Sequence, residues 1–172
     1  MKNLDFEIRP VKLPDEIQVV QTLLIEYLTW GNGQMQFYFG VHPQNPVQQV
    51  SEDVKNIDKF LPPKSQMLLA CKGSQVCGIG ILEGIEKETG EVKRMYVNPN
   101  FRNLGMGKAI LNALLDFAKN TGYKKVRLNS PKFMKEAHSL YRSVGFKDIE
   151  VYPEVEIPES FRQYLLFMEL KF

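Results

Sequence analysis

Apolar positions along this chain follow two rhythms. Ile17, Val20, Leu24, Tyr27 and Leu28 recur at helical spacing and predict an amphipathic helix ending near Trp30, with Asp15 and Glu16 at its positive end. Residues 46–60 predict a second helix, carrying Val47, Val50, Val54 and Ile57 on one side and ended by Leu61-Pro62-Pro63. Ile110, Leu111, Leu114, Leu115 and Ala118 predict a third, from Gly107 to about Asn120, with Gly122 as its stop. Ala137, Leu140, Tyr141 and Val144 predict a fourth, with Ser130-Pro131 as cap and first turn and Gly145 as its end. On that face His138 is expected to look toward solvent. Short β-prone runs fill the rest: residues 6–11, 66–71, 76–85, 92–97, 125–129, 146–151 and 164–172. Lys72-Gly73-Ser74-Gln75 is a hairpin turn between the second and third of these. Residues 31–46, punctuated by glycine and proline, read as a loop, and so does the acidic stretch 152–163. Strands with helices interspersed, including one strand–helix–strand unit over residues 92–129, give an α+β (mixed α/β) fold with a mixed sheet of about seven strands and about four helices. Residues 1–172 read as a single domain.

Composition narrows the function classes without choosing one. Apolar residues make up 44% and charged residues 24%, an ordinary globular balance. A net charge of +2 gives no case for nucleic acid or an acidic membrane surface as partner. No apolar run reaches the ~20 residues of a membrane span. The polar start, Met-Lys-Asn-Leu-Asp, does not look like a secretory signal, and two cysteines, Cys71 and Cys77, fit a reducing, cytoplasmic setting. With only His42 and His138 to join them, a metal site is not expected.

Candidate chemistry concentrates in residues 92–108, Val-Lys-Arg-Met-Tyr-Val-Asn-Pro-Asn-Phe-Arg-Asn-Leu-Gly-Met-Gly-Lys. A strand is stopped by Asn98-Pro99-Asn100, and Gly105 and Gly107 then open a helix. Such a turn leaves several backbone N–H groups unpaired and pointing one way, at the positive end of the helix dipole. That is an anion site, with a phosphate as its usual occupant, bracketed here by the cations of Arg102 and Lys108. A P-loop is excluded because the glycines are one residue apart and Ala109 follows Lys108. A dinucleotide fingerprint is excluded because Ile110 stands where its third glycine belongs.

The pattern that remains, RNLGMG preceded by VKRMYVNP, resembles the acetyl-CoA site of the GCN5-related N-acetyltransferase (GNAT) family. SLYRSVGF, Ser139 to Phe146, resembles that family's later helix, and the order of elements agrees from about Phe6 to Phe172. The resemblance implies a twisted, largely antiparallel sheet that splays between its fourth and fifth strands to admit the cofactor. It implies acetyl-CoA as co-substrate and no metal. Main-chain groups of Met95, Tyr96 and Val97 would meet the pantetheine arm. Arg102, Asn103, Leu104, Gly105, Met106, Gly107 and Lys108 would wrap the diphosphate. Asn129 would either bind the pantetheine amides or serve as a turn residue. One departure stands out: Met134 occupies a position where the family often has asparagine.

For chemistry, the resemblance implies Tyr141 as the proton donor to the departing thiolate. A phenol of pKa ~10 is a weaker acid than a thiol of pKa ~8.5, yet a positioned phenol can still donate as charge develops on sulfur. Glu91 is the expected base, with Glu83 behind it, and the amide of Met95 could meet the oxyanion. Tyr27, Trp30 and Phe37, with Tyr38 and Phe39, either line the acceptor pocket or form a satellite core under the loop. Glu154, Glu156 and Glu159 either attract a cationic amine or are simply solvated. The expected activity is transfer of acetyl to a primary amine of a small molecule by direct attack, Cys71 and Cys77 having no adjacent base for a covalent route. Alternatives are a protein lysine or N-terminal acetyltransferase and a non-catalytic acetyl-CoA sensor. A homodimer is expected by analogy only.

Overall fold

The structure, a computed structural model, describes residues 5–172. The polar start read as arguing against a signal segment falls mostly on residues 1–4, outside the described residues. Seven strands, β1 (Glu7–Pro10), β2 (Gln66–Lys72), β3 (Gln75–Glu86), β4 (Thr89–Val97), β5 (Lys125–Pro131), β6 (Lys147–Ile149) and β7 (Leu165–Lys171), form one sheet in the order β1-β2-β3-β4-β5-β7-β6. All neighbours are antiparallel except β4 and β5. Helices α1 (Ile17–Phe39) and α2 (Pro46–Lys55) pack on one face, and α3 (Met106–Thr121) and α4 (Lys135–Ser143) on the other. A single turn, α5 (Glu159–Arg162), interrupts the acidic stretch between β6 and β7 that was expected to be loop throughout.

Covering both faces explains why β2 reads as continuous apolar sequence rather than alternation. Leu68 and Ala70 pack beneath Ile110, Leu111 and Leu114 of α3, while Met67 and Leu69 pack against Val20, Leu24 and Leu28 of α1. The parallel contact between β4 and β5 is short: Thr89, Gly90 and Glu91 face Lys125, Val126 and Arg127, and no further pair forms. β4 continues six residues to Val97 and β5 four to Pro131, so the two diverge. The expected splay between the fourth and fifth strands is present.

Three local expectations are corrected. The first helix does not end near Trp30. It continues through Gly31-Asn32-Gly33 to Phe39, where Gly40 at φ +67° returns its N–H to the Gln36 carbonyl at 2.9 Å. Helical glycines cost about 1 kcal/mol each against alanine. Burial of Met35, one heptad beyond Leu28, opposes that cost, and the Asn32 amide anchors the turn to the Gln44 carbonyl at 2.8 Å. The second correction concerns Ser130 and Pro131, which finish β5, pairing with Leu166 and Leu165, and cap nothing. The third is His138, which faces inward, 1% exposed, with its Nε2 3.1 Å from Ser130 Oγ. It lies only about 60° around the helix from Tyr141, inside the width of an ordinary buried stripe. Burial lowers its pKa, with the Arg142 and Lys135 charges adding to the effect.

The extension of α1 generates a sign test. Neither Gly31 nor Gly33 would bring a Cβ within 4 Å of another group. Alanine at either position should therefore stabilise the protein by about 0.5–1 kcal/mol, read from denaturant midpoints. No gain, or a loss, at both positions would place residues 31–39 outside a helix.

Candidate active site

Between the diverging strands lies a cleft of about 530 Å³. Its walls come from three places: Met95, Tyr96 and Val97 at the end of β4, the turn and first residues of α3, and one face of α4 with the loop before it. The long α1 closes the fourth side with Tyr27, Trp30, Gln34 and Tyr38, a single helical stripe.

The turn into α3 is built as an anion cradle. Asn103 and Gly105 both have positive φ, +63° and +85°. A glycine at the second position avoids the Cβ clash of the left-handed region. The first main-chain N–H past Arg102 to find an acceptor is that of Ala109, on the Gly105 carbonyl at 3.0 Å. Among the described residues, the amides of residues 103–108 have none. A run of left-handed and right-handed residues with free N–H groups at a helix start holds anions through dipoles rather than salt bridges. Arg102 is oriented there by two contacts. Its Nε donates to the Val97 carbonyl at 3.1 Å, and its guanidinium lies 5.3 Å from the centre of the Trp30 ring. Lys108 is exposed on the first turn of the helix and also borders the cleft.

Most of the residues expected at the cofactor converge. Met95, Tyr96, Val97, Arg102, Asn103, Gly105, Met106, Gly107 and Lys108 all line the cleft, and so do Tyr141, Tyr27 and Trp30. Four expected residues do not. Leu104 turns outward, 48% exposed, and Phe37 is 79% exposed while its neighbour Tyr38 takes the cleft position. Asn129 and Glu91 lie on the α1 face of the sheet but outside the cleft lining. There Asn129 Nδ2 lies 3.5 Å from the Tyr152 hydroxyl, which donates to Glu91 at 2.6 Å. Glu91 also meets Lys93 Nζ at 3.0 Å, and Lys93 reaches Glu83 at 2.6 Å. Burial works against the charge on Lys93, but the Glu91 and Glu83 carboxylates outweigh it and raise its pKa. Arg127 adds Glu154 at 2.7 Å and Glu169 at 2.9 Å. This buried polar cluster pins the segment after β6 against the foot of the splay, so Glu154 is committed to an ion pair.

Tyr141 is 6% exposed, and its hydroxyl has no hydrogen-bond partner among the described residues. Burial pushes its pKa above the ordinary phenol value, with Tyr27 nearby adding to the shift. Burial also raises Tyr27, while the Arg94 charge pulls it back. Two neutral phenols therefore line the same cleft.

Gln34 and Phe133 were not anticipated as cleft residues, and Met134 lines the cleft at the position where the family often has asparagine. Gln34 follows Tyr27 by seven positions and was findable only with α1 drawn to its full length. Phe133 stacks on Tyr38 with ring centres 5.4 Å apart, and Phe39 stacks on Tyr164 at 4.9 Å. The tail of α1 thereby roofs the cleft from β4 across to the β5 side. Among the described residues no three His, Cys, Asp or Glu side chains cluster to hold a metal, and no helix is long and apolar enough to cross a membrane.

Known proteins share both the sequence and this architecture. The sequence model of the acetyltransferase (GNAT) family matches residues 28–146. An uncharacterised N-acetyltransferase of Schizosaccharomyces pombe is 28% identical over 161 residues, 92% of this chain and 93% of its own length. The N-acetylaspartate synthetase of Xenopus tropicalis is 30% identical over 125 residues, covering 70% of this chain and 46% of that protein. Among solved structures, an acetyltransferase from Streptococcus agalactiae matches with a TM-score of 0.75 at 18% identity, over 98% of this chain and 99% of its own. The PaiA N-acetyltransferase of Thermoplasma acidophilum, solved in complex with coenzyme A, matches at 0.67 with 18% identity, over 97% and 99%.

A free-amide cradle predicts how a charge should act there. A Cβ at Gly107 would meet only Leu140 Cδ2, at 3.7 Å, so the site has room for a side chain. Gly107→Asp should remove the rise in melting temperature given by acetyl-CoA, whereas Gly107→Ala should keep most of it. Equal shifts in both variants would move the anion site elsewhere.

Proposed function

The chain belongs to the acetyltransferase (GNAT) family and is an acetyl-CoA-dependent N-acetyltransferase, and from that premise we propose that it acetylates a primary amine of a small molecule by direct attack. The observation that carries the reading of the step is Tyr141: a buried phenol on the cleft wall, held neutral, with no partner of its own.

Acetyl-CoA supplies an activated acetyl group. The amides of residues 103–108 and the Arg102 side chain bind its diphosphate, and the β4 main chain from Met95 to Val97 guides the arm into the splay. The amine nitrogen bonds to the acetyl carbon as the carbon–sulfur bond breaks. Tyr141 gives its proton to the departing sulfur, and the Met95 amide faces the developing oxyanion. The nitrogen loses one proton, leaving an amide and a free thiol. Neither Glu91 nor Tyr152, which donates to it, lines the cleft, so that proton passes to water, and the Tyr141 phenolate is reprotonated from water. Asn129 contacts the same hydroxyl and does not line the cleft.

Two observations support a small acceptor. The α1 tail, stacked on Phe133 and Tyr164, roofs the cleft instead of leaving an open trough for a peptide. Relatives named N-acetylaspartate synthetase carry a small acetylated product in their name.

Thiol release from acetyl-CoA with a panel of small amines tests the activity directly. Tyr141→Phe should lower kcat by about 10²–10⁴ while leaving the acetyl-CoA thermal shift unchanged. Because burial lifts the Tyr141 pKa, the donor stays protonated and kcat should not fall as pH rises to about 10. An unchanged kcat in the phenylalanine variant would remove Tyr141 from the step.

A further inference from the structure

β4 carries a distortion beside the cleft, and a residue two elements away holds it. Along the β3–β4 ladder Ile81 faces Lys93 and Ile79 faces Tyr96, so one residue of β3, Gly80, lies opposite two of β4, Arg94 and Met95. Neither of those two has a register partner. This is a β-bulge, in which the extra residue leaves the ladder and its main chain is re-aimed. Arg94 takes φ +55°, left-handed backbone that an arginine inside a strand adopts only under constraint.

The constraint comes from α2. Asp53 Oδ2 accepts from Arg94 Nε at 3.0 Å and from Nη2 at 2.9 Å, and the two side chains are only 12% and 20% exposed. α2 is itself fixed: the Asn45 side chain caps its start, accepting from Val47 N and Gln48 N, and Val50 is fully buried against the α1 face of the sheet. Two donors of one guanidinium on one oxygen of a docked helix set where the Arg94 side chain goes, and hence the backbone from which it grows. Met95, the next residue, lines the cleft. Gly80 leaves room behind it, since a Cβ there would sit 3.3 Å from Met95 Sδ and 2.4 Å from Ile110 Cγ2.

We propose that Asp53 is a positioning residue for acetyl transfer: through Arg94 it holds the β4 bulge that keeps the Met95 main chain out of the ladder and available to the thioester carbonyl. Asp53 touches neither substrate, and the inference rests on the transferase reading of this cleft. The pair fixes geometry at the reacting end, so it governs kcat. The diphosphate cradle lies beyond the end of β4 and does not depend on it.

The test is a double-mutant cycle read on kinetics. Asp53→Asn should lower kcat about tenfold and leave the Kd for acetyl-CoA within about twofold. In an Arg94→Gly background the same change should have no further effect, because glycine holds positive φ without an anchor. A kcat that stays at the wild-type level while only the melting temperature falls would make the pair merely structural and overturn the proposal. A kcat loss that persists undiminished in the Arg94→Gly background would also overturn it, by giving Asp53 a role independent of the bulge. A second readout needs no acceptor: the Met95 amide resonance should move on adding acetyl-CoA to the wild type and stay put in Asp53→Asn. If no amine is acetylated by the wild type, the transferase reading fails on its own, and the Met95 resonance still decides. Movement in both proteins overturns the positioning role, and movement in the wild type alone supports it.

Discussion

The structure turns on how briefly β4 and β5 stay paired. Three residues of each strand face one another, and then two neighbouring strands leave the ladder inside the body of the domain. Main-chain N–H and C=O groups removed from a ladder and from water are costly unless something else meets them. An extended ligand arm rich in amides, lying between the strands, is the occupant that such edges suit. Everything else around the cleft can be read as a consequence of keeping that gap open at one end and shut at the other.

At the shut end, the gap is held by charge. Glu91 on β4 and Arg127 on β5 stand opposite each other, and the segment after β6 folds onto them through Tyr152 and Glu154. The buried Glu91 carboxylate survives there because it has the Lys93 ammonium and the Tyr152 hydroxyl in reach. At the open end the device is different. The α3 amides and two cations make positive potential without any buried charge, which suits a ligand that must also leave. Between them aromatic side chains dominate the cleft wall, and two phenols, Tyr27 and Tyr141, stay neutral because burial penalises their anions.

What the sequence made legible was local. The turn at residues 103–108 could be read because its function is written in backbone preferences: a proline stop, two glycines and an apolar helix starting at once. Residues on either side of it fell where expected for the same reason. β2 was readable because burial on both faces makes it a continuous apolar run, and β5 because its buried positions alternate. What escaped depends on distant partners. Gly31 and Gly33 signal a loop until Met35 is buried and Tyr38 finds Phe133, a residue about a hundred positions away. His138 looked solvated from its place one residue past Ala137, and its buried partner Ser130 lies on β5, which no local signal ties to it. Glu91 was drawn toward the reaction by its place on β4, yet it sits in the paired part of the strand, tied to Tyr152 and Lys93 outside the cleft lining. Neither Tyr152 nor Phe133 carried any local mark of its contacts.

The central claim is that the α3 amides grip a diphosphate while the arm it carries threads the gap between β4 and β5. A crystal structure with acetyl-CoA bound tests this most directly. The account predicts phosphate oxygens within hydrogen-bond distance of main-chain N–H groups in residues 103–108, with the thioester between Met95 and the Tyr141 hydroxyl. A diphosphate seated on any other element, or an arm that lies outside the splay, would contradict it.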